Sequence, residues 1–105
     1  MNKIKCVIKN PGKKAYFAEI DNTLNCLQKT VDGPIETVSI APDLVIICNE
    51  EGLLRDYKFN CTVTGIQFFG TIIFVGKKED DFADMPIGED DFKFAFSDLF
   101  KRGRY

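Results

Sequence analysis

The sequence predicts an α+β fold: a single domain with a mostly antiparallel sheet of about five strands, a short helix after strand 2 and a C-terminal helix. Three patterns support this prediction. Residues 3–9 alternate in part between apolar and polar, residues 44–48 form an unbroken apolar run, and Leu24, Leu27 and Val31 recur at helical spacing. The chain has 105 residues, which is the length of one domain, and we assign residues 1–105 to it.

The first two strands are predicted to form a hairpin. In residues 3–9 isoleucine and cysteine alternate with lysine, although Val7 interrupts the polar side and indicates cover on both faces. Residues 10–13, Asn-Pro-Gly-Lys, are typical of a turn, because proline presets its own φ and glycine accepts a positive φ. Residues 15–20 then form the second strand.

A short helix is predicted after this hairpin. Residues 21–23 supply side-chain oxygens that can cap its N-terminus. Leu24, Leu27 and Val31 fall on one helical face, which we expect to pack on the sheet. The Asp-Gly-Pro sequence at residues 32–34 ends the helix, since glycine and proline are both stop signals.

Three further strands are predicted in the middle of the chain. Residues 35–40 alternate imperfectly, whereas residues 44–48 are continuous and β-branched, as in a central strand buried on both faces. Residues 66–75 indicate one long strand that contains Gly70, and a glycine there marks a bulge or a close backbone approach. Residues 76–84 are predicted to form an acidic loop.

Residues 88–100 fit two patterns. Phe92, Phe94 and Phe96 alternate as in a strand, whereas Phe92, Phe96 and Leu99 share one helical face. Acidic residues stand at the start of this segment and basic residues at its end, which is the charge order that stabilises a helix. We therefore predict a helix over residues 89–101 and expect both helices on one side of the sheet.

Composition excludes several classes of site. The chain contains no His, which excludes catalytic triads that use imidazole, His general bases and zinc sites built on His. No P-loop, G-x-G-x-x-G or G-x-S-x-G motif occurs, and the spaced acidic pattern of a calcium loop is absent. The sequence therefore predicts neither a cofactor nor a metal. The net charge of −2 is too small to identify a partner.

The four cysteines have two interpretations. Cys6, Cys26, Cys48 and Cys61 are widely spaced, without a CxxC pair, and most lie in apolar surroundings. We favour free buried thiols, because the chain shows no export signal. A zinc site formed by all four thiolates is the alternative, although structural zinc sites usually draw their ligands from closely spaced pairs.

The location of the protein is expected to be cytoplasmic. Residues 1–10 interleave lysine with apolar residues and so lack the apolar core of a secretion signal. The longest apolar run is Leu44–Cys48, far short of the roughly 20 residues that a membrane span needs. We therefore expect no membrane association.

Acidic residues crowd one late segment and define a candidate surface for a basic partner, the acidic partner surface. They are Asp80, Asp81, Asp84, Glu89, Asp90 and Asp91. The alternative is an ordinary solvated surface, which is what charge runs usually are. Imitation of a DNA backbone is a third reading, but it would need carboxylates over much of the surface.

A turn of mixed chemistry follows the run at residues 44–48. Asn49, Glu50 and Glu51 are candidates for binding a ligand or a partner, together with Arg55. The competing interpretation is structural: Asn49 tolerates a left-handed conformation, Gly52 supplies a positive φ, and both glutamates stay in water. Adjacent carboxylates on an extended chain point to opposite sides, so a catalytic pair here would require a turn.

Several segments also resemble a known family. They include Pro11-Gly12-Lys13, Glu19-Ile20-Asp21, Gly33, Ile35-Glu36, Cys48-Asn49-Glu50-Glu51-Gly52, Gly70, Gly76 and Asp81-Phe82. In these the chain resembles DUF3846, a family of small proteins of bacteria, phages and mobile elements whose function is unknown. The resemblance covers nearly the whole chain, and it departs from the family pattern after Leu54. It implies a bacterial or phage setting and a cytoplasmic location, but no reaction.

Taken together, these features favour an accessory protein that acts by binding, most of all to another protein. Its long strand could also pair at an edge to form a homodimer. The alternative is a small-ligand binder or a carboxylate-dependent enzyme at the Asn49-Glu50-Glu51 turn. Nucleic acid is a minor alternative, because the chain is acidic overall, with a pI near 5.1.

Overall fold

The structure, a computed structural model, describes residues 3–52 and 56–100. In these ranges the elements follow the order β1 (Lys3–Lys9), β2 (Tyr16–Asp21), α1 (Leu24–Val31), β3 (Ile35–Ala41), β4 (Leu44–Asn49), β5 (Phe59–Val63), β6 (Ile66–Phe69), β7 (Ile72–Lys78), β8 (Asp81–Ala83), α2 (Glu89–Ala95) and a 3-10 helix (Ser97–Phe100). None of the helices in the described part is both long and apolar enough to cross a membrane. The predicted α+β fold is confirmed.

The main sheet has the strand order β2-β1-β7-β4-β3, and every neighbouring pair is antiparallel. The short strand β8 pairs with the end of β7, and β5 and β6 form a separate two-stranded sheet. The prediction of a mostly antiparallel sheet of about five strands is therefore confirmed. β2 and β3 are the two edge strands of the main sheet.

The first hairpin forms as the sequence predicts. The backbone N–H of Lys13 donates to the carbonyl oxygen of Asn10 at 3.1 Å, which closes the turn. Gly12 has a φ of 75°, a left-handed conformation that a glycine adopts without steric cost. Behind this turn β1 and β2 pair in register from Ile8 and Tyr16 onward.

Helix α1 begins and ends where the sequence predicts. The side-chain oxygen of Thr23 accepts the Cys26 N–H at 3.2 Å, and the helix ends at Asp32 in a left-handed conformation. Leu27 and Val31 are buried against the sheet. Leu24, which we expected on the same buried face, is 58% exposed, because it lies in the first turn and projects beyond the sheet contact.

The prediction of one long strand over residues 66–75 is wrong. Gly70 adopts a φ of 79°, and the chain reverses there between β6 and β7. β7 then becomes the central strand of the main sheet, with β1 on one side and β4 on the other. Both edges of β7 are occupied, whereas β6 pairs only with β5 in the described residues, so the predicted homodimer could use only the β6 part of this segment.

The two faces of the main sheet are covered by different elements. On one face α1 packs on apolar residues of β1, β4 and β7, among them Ile4, Ile47 and Ile73. On the other face the β5–β6 hairpin, α2 and the 3-10 helix pack around Phe74 and its neighbours. The expectation that both helices lie on one side is therefore wrong. Because the central strands carry apolar side chains on both faces, both faces must be packed against other elements, and one helix packs on each face.

An aromatic cluster fixes the C-terminal segment. The rings of Phe17, Phe74, Phe92, Phe96 and Phe100 lie with neighbouring centroids 4.7 to 6.0 Å apart. Such pairs contribute about 0.5–1.5 kcal/mol each beyond their area burial. The predicted terminal helix is confirmed over residues 89–95, and a 3-10 helix follows it. Residue 101, the predicted end, lies outside the described residues.

Two strands have no counterpart in the sequence prediction. β5 was not predicted, and residues 76–84 form the end of β7, a turn and β8 rather than an acidic loop. The turn contains Glu79 with a φ of 57°. A Cβ atom on Gly76 would overlap the carbonyl oxygen of Asp84, so this position needs glycine for the two strands to approach.

Candidate functional site

The side chain of Asn49 is fully engaged inside the protein. It is 4% exposed, and its Nδ2 donates to the carbonyl oxygens of Val31 and Asp32, both at 3.0 Å. Its Oδ1 accepts the Glu51 N–H at 2.7 Å. The amide thus joins the C-terminus of α1 to the end of β4. Burying it without these bonds would be costly, so its role in the fold is structural.

The rest of this turn is held by its backbone. The Glu50 N–H donates to the Pro34 carbonyl oxygen at 2.8 Å, and the Gly52 N–H donates to the Asn49 carbonyl oxygen at 3.1 Å. The Glu50 side chain is exposed and borders a cavity of about 220 Å³ between β4 and β6. Glu51 is half-buried. Arg55, the remaining predicted member of this site, lies outside the described residues.

The acidic partner surface is divided between three places. All six of its side chains are exposed. Asp80 and Asp81 lie in the β7–β8 hairpin, and Asp90 and Asp91 lie in the first turn of α2. Only Asp84 and Glu89 are brought together, on the wall of one groove.

This groove, the β2 groove, lies between strands β1 and β2 and the segment that links β8 to α2. Its volume is about 730 Å³. Its apolar lining comes from Phe17, Met85, Pro86 and Ile87, and its charged lining from Lys5, Glu19, Asp84 and Glu89. Three carboxylates and one ammonium group thus line the groove, and the ammonium group of Lys93 lies near its Phe17 end. Ile87 is 39% exposed, and the side chains of Glu19 and Glu89 are exposed as well.

Hydrogen bonds to the backbone of Lys5 build the wall of the β2 groove. The Met85 N–H donates to the Lys5 carbonyl oxygen at 3.0 Å, and the Lys5 N–H donates to Asp84 Oδ1 at 2.8 Å. These bonds join β1 to a segment about 80 residues later in the chain. The wall is therefore formed by the fold and does not need a ligand to assemble.

The aromatic cluster supports the other end of the groove. Phe17 packs edge-on against Phe92 with ring centroids 6.0 Å apart. It also stacks on Phe100 at 5.7 Å, and Lys93 Nζ lies 5.8 Å from each of these two ring centroids. Contacts of this kind contribute about 0.5–1 kcal/mol at exposed sites. They hold α2, and with it Glu89, in place over β2.

The cysteines do not form a site in the described residues. Cys6 packs on the face covered by α1, whereas Cys48 and Cys61 pack on the opposite face, so four thiolates cannot meet at one zinc ion. All four thiols are free. Burial raises the pKa of the Cys6, Cys48 and Cys61 thiols to about 11. They therefore stay protonated near neutral pH, which makes them poor nucleophiles.

Metal chemistry also lacks a suitable arrangement in the part of the chain that the structure describes. No group of three or more Cys, Asp or Glu side chains lies close enough together to hold an ion. The carboxylates Glu19, Asp84 and Glu89 instead border a groove with apolar walls. Such an arrangement suits the binding of a side chain that is both long and cationic.

Sequence analysis missed most residues of the β2 groove. Lys5, Phe17 and Glu19 were assigned only to strands, and Met85 was assigned to no element or site. Met85 and Ile87 stand within the acidic segment and interrupt its charges, and this apolar content was the available signal for a mixed surface. The partners on β1 and β2 had no such signal, since only the fold brings them near.

Comparison with known proteins gives one assignment. Comparison with curated proteins and with solved structures gave no match. The family described as a domain of unknown function (DUF3846) matches residues 4–97, which include every residue that lines the β2 groove. Since this match spans nearly all of the 105 residues, the chain is a member of the DUF3846 family.

Proposed function

We propose that this protein is a small binding protein that holds a segment of another protein in the β2 groove. The observation that supports this most is the composition of the groove, which combines apolar walls with exposed carboxylates. Protein–protein interfaces have this anatomy, with an apolar centre and a polar rim. Because backbone bonds to Lys5 form the wall, the groove is available before a partner arrives.

The charges of the groove favour a basic partner. Glu19, Asp84 and Glu89 outnumber Lys5 and the Lys93 ammonium group beside Phe17, so the groove attracts lysine and arginine side chains and repels phosphates. This also disfavours nucleic acid as the partner. The proposed setting is the cytoplasm of a bacterial host, where the protein would serve as an accessory protein of bacterial, phage or mobile-element origin.

The alternative function, a small-ligand site or an enzyme at the Asn49 turn, has less support. The Asn49 amide already makes three hydrogen bonds within the chain. It therefore cannot bind a ligand without breaking the link between α1 and β4. The cavity beside Glu50, at about 220 Å³, is also smaller than the ~300 Å³ at which ligand pockets usually begin.

The proposal is tested by capture of partners from a lysate of the organism that encodes the protein. The wild-type chain is immobilised, and bound proteins are identified by mass spectrometry. The test variant carries Glu19→Lys and Glu89→Lys, which reverses two exposed charges of the groove. The control variant carries Asp80→Lys and Asp91→Lys, an equal charge change at exposed positions outside the groove.

We expect a specific protein that the wild type and the control both retain and the groove variant loses. Circular dichroism melting of all three chains verifies that each is folded. If the groove variant keeps the partner, or if the control loses it to the same degree, the β2 groove is not the binding site and the proposal is wrong.

A further inference from the structure

We infer that the occupant of the β2 groove is an extended segment with lysine or arginine side chains, which adds as a strand to the free edge of β2. This inference rests on the proposed function and specifies how the partner is held. It depends on three features: the direction of the backbone groups of β2, the face on which its side chains lie, and the charge of that face.

The backbone groups of Lys5 determine the direction of those in β2. The N–H and C=O groups of Lys5 both point away from β2. The Lys5 carbonyl oxygen accepts the Met85 N–H, and the Lys5 N–H donates to Asp84 Oδ1. Lys5 lies opposite Glu19 in the antiparallel register. In such a pair the partner's backbone groups also point away, here toward the open edge. Because the direction of the backbone groups repeats every second residue along a strand, those of Phe17 and Asp21 also point toward the open edge.

β2 therefore presents unused hydrogen-bonding groups from Phe17 onward, whereas the Ala15 N–H just before it donates to the Leu99 carbonyl oxygen at 2.8 Å. It ends the strand order of the main sheet, so no strand in the described residues pairs with its outer side. The N–H and C=O groups of Phe17, Glu19 and Asp21 match the spacing that an incoming strand requires. Strand addition of this kind provides affinity through the backbone and specificity through alternate side chains.

The side chains of the added strand would enter the β2 groove. Phe17 packs on the face that carries α2, and Glu19, two residues later, lies on the same face. A residue added opposite Glu19 would place its Cβ about 5 Å from that of Glu19. A lysine or arginine there lies beside Glu19 and can extend its methylene groups along the apolar wall of the groove toward Glu89.

A second copy of this chain does not fit the same edge. In an antiparallel register that pairs Glu19 of one copy with Glu19 or Asp21 of the other, carboxylates would face each other, although Asp21 has a lysine beside it, with Lys3 Nζ 3.3 Å from its Oδ1. Like charges directly opposite each other on a sheet are destabilising. The charge of the edge therefore selects a basic segment of a different protein.

The inference is tested with synthetic peptides and the full-length protein. The parent probe is a peptide in which lysine and valine alternate, and its affinity is measured by titration calorimetry. A second peptide carries N-methyl groups on its lysine nitrogens, which face β2 when lysine pairs with Glu19 in an antiparallel arrangement. A third carries them on its valine nitrogens, which face away. Charge is the same in all three.

We expect the parent and the valine-methylated peptide to bind with similar affinity, and the lysine-methylated peptide to bind at least about tenfold more weakly, because it loses several hydrogen bonds. In the complex, amide hydrogen exchange at Phe17, Glu19 and Asp21 should slow. The same parent peptide should bind more weakly to the Glu19→Lys/Glu89→Lys variant. A peptide with glutamate in place of lysine should not bind.

Two results would overturn the inference while leaving the proposed function intact. In the first, both methylated peptides bind as well as the parent, and the groove variant still loses its natural partner. In the second, sedimentation shows a dimer of this chain that competes with the peptide. If the groove variant binds the parent peptide normally and also retains every captured protein, the inference and the proposed function both fail.

Discussion

The Asn49 turn and the β2 groove both carry polar side chains, but they use them in opposite ways. At the turn, the donors and the acceptor of the Asn49 amide are satisfied within the chain. At the groove, Glu19 and Glu89 stay in water next to apolar walls. A polar side chain whose hydrogen bonds are all made within the chain therefore has a structural role. Exposed charges beside apolar surface indicate a binding role.

This difference has a consequence for free energy. A buried polar group left without its partner costs about 1–3 kcal/mol. A charge at an exposed position contributes about 0–1 kcal/mol. Substitutions at the turn should therefore change the free energy of unfolding, whereas substitutions in the groove should change binding and leave that free energy nearly constant.

The largest effect on stability is expected for Asn49→Asp. The carboxylate has nearly the same shape and can still accept the Glu51 N–H. It cannot donate to the carbonyl oxygens of Val31 and Asp32, and it places a negative charge against both. We expect a loss of about 3 kcal/mol or more in the free energy of unfolding, measured by urea denaturation.

Glu50→Gln is the matched control, because that side chain is exposed on the same turn. It should change the free energy of unfolding by less than about 0.5 kcal/mol. A similar small change for Asn49→Asp would contradict the structural role that we assign to Asn49.

The next effect is expected for Gly76→Ala, which tests the wall of the β2 groove. The new Cβ would overlap the Asp84 carbonyl oxygen, so β7 and β8 must separate. We expect a loss of about 2 kcal/mol in the free energy of unfolding. Binding of the alternating lysine–valine peptide should also weaken, because Asp84 and Met85 would shift.

Gly88→Ala is the control for this prediction. Gly88 also borders the groove, but a Cβ there meets nothing within 4 Å, and its φ of −71° suits alanine. As an N-cap position it should lose less than about 1 kcal/mol. If Gly88→Ala destabilised the protein more than Gly76→Ala, the wall would not depend on the close approach at Gly76.

Alkaline pH should weaken the core beneath both regions. Burial raises the pKa of Cys6 from 9.0 to about 11, and it raises those of Cys48 and Cys61 likewise. The folded protein then holds protons that the unfolded chain has released. This stabilisation is complete below about pH 9 and falls as the pH rises toward 11, by up to about 1.4 kcal/mol per pH unit for each thiol.

The measurement is urea denaturation of the wild type and of Cys6→Ala at several pH values. Loss of the thiol adds a cavity cost that does not depend on pH, so the variant should show a shallower decline above pH 9. Lys9 acts in the opposite direction, since burial lowers its pKa and folding favours its neutral form. If the free energy of unfolding fell equally above pH 9 in both proteins, the conclusion that burial raises the pKa of Cys6 would be wrong.

Apart from the control variants, the smallest effect on stability is expected for the combined change Glu19→Lys and Glu89→Lys. Both side chains are exposed, so the free energy of unfolding should change by less than about 1 kcal/mol. Urea denaturation checks this value. A much larger loss would mean that these carboxylates stabilise the fold, and the contrast with Asn49 would then disappear.

The sequence predicted those elements whose pattern is local. The uninterrupted apolar run of β4 and the caps of α1 required no knowledge of distant residues. β5 was missed because a register shift between Phe59 and Cys61 breaks its alternation. Its buried Asn60 also looks like a loop residue, yet its Nδ2 bonds the carbonyl oxygens of Lys9 and Gly70 at 2.8 and 2.7 Å.

The β2 groove could not be predicted from a local pattern. Its walls come from β1, β2 and residues 84–89, and a bond between Lys5 and Asp84 spans almost the whole chain. The strand sequences likewise do not predict which face of a sheet buried on both sides each helix covers. The sequence could nominate Asp84 and Glu89 as acidic residues, but only the fold pairs them with Glu19.

The affinity of the captured partner, once purified, for two single variants shows whether the partner binds at the β2 groove or at the Asn49 turn. Glu89→Lys changes the groove and Glu50→Lys changes the turn, and both side chains are exposed. The account predicts that Glu89→Lys weakens binding by about tenfold or more and that Glu50→Lys changes it less than about twofold. The reverse order would contradict the account and place the binding site at the Asn49 turn.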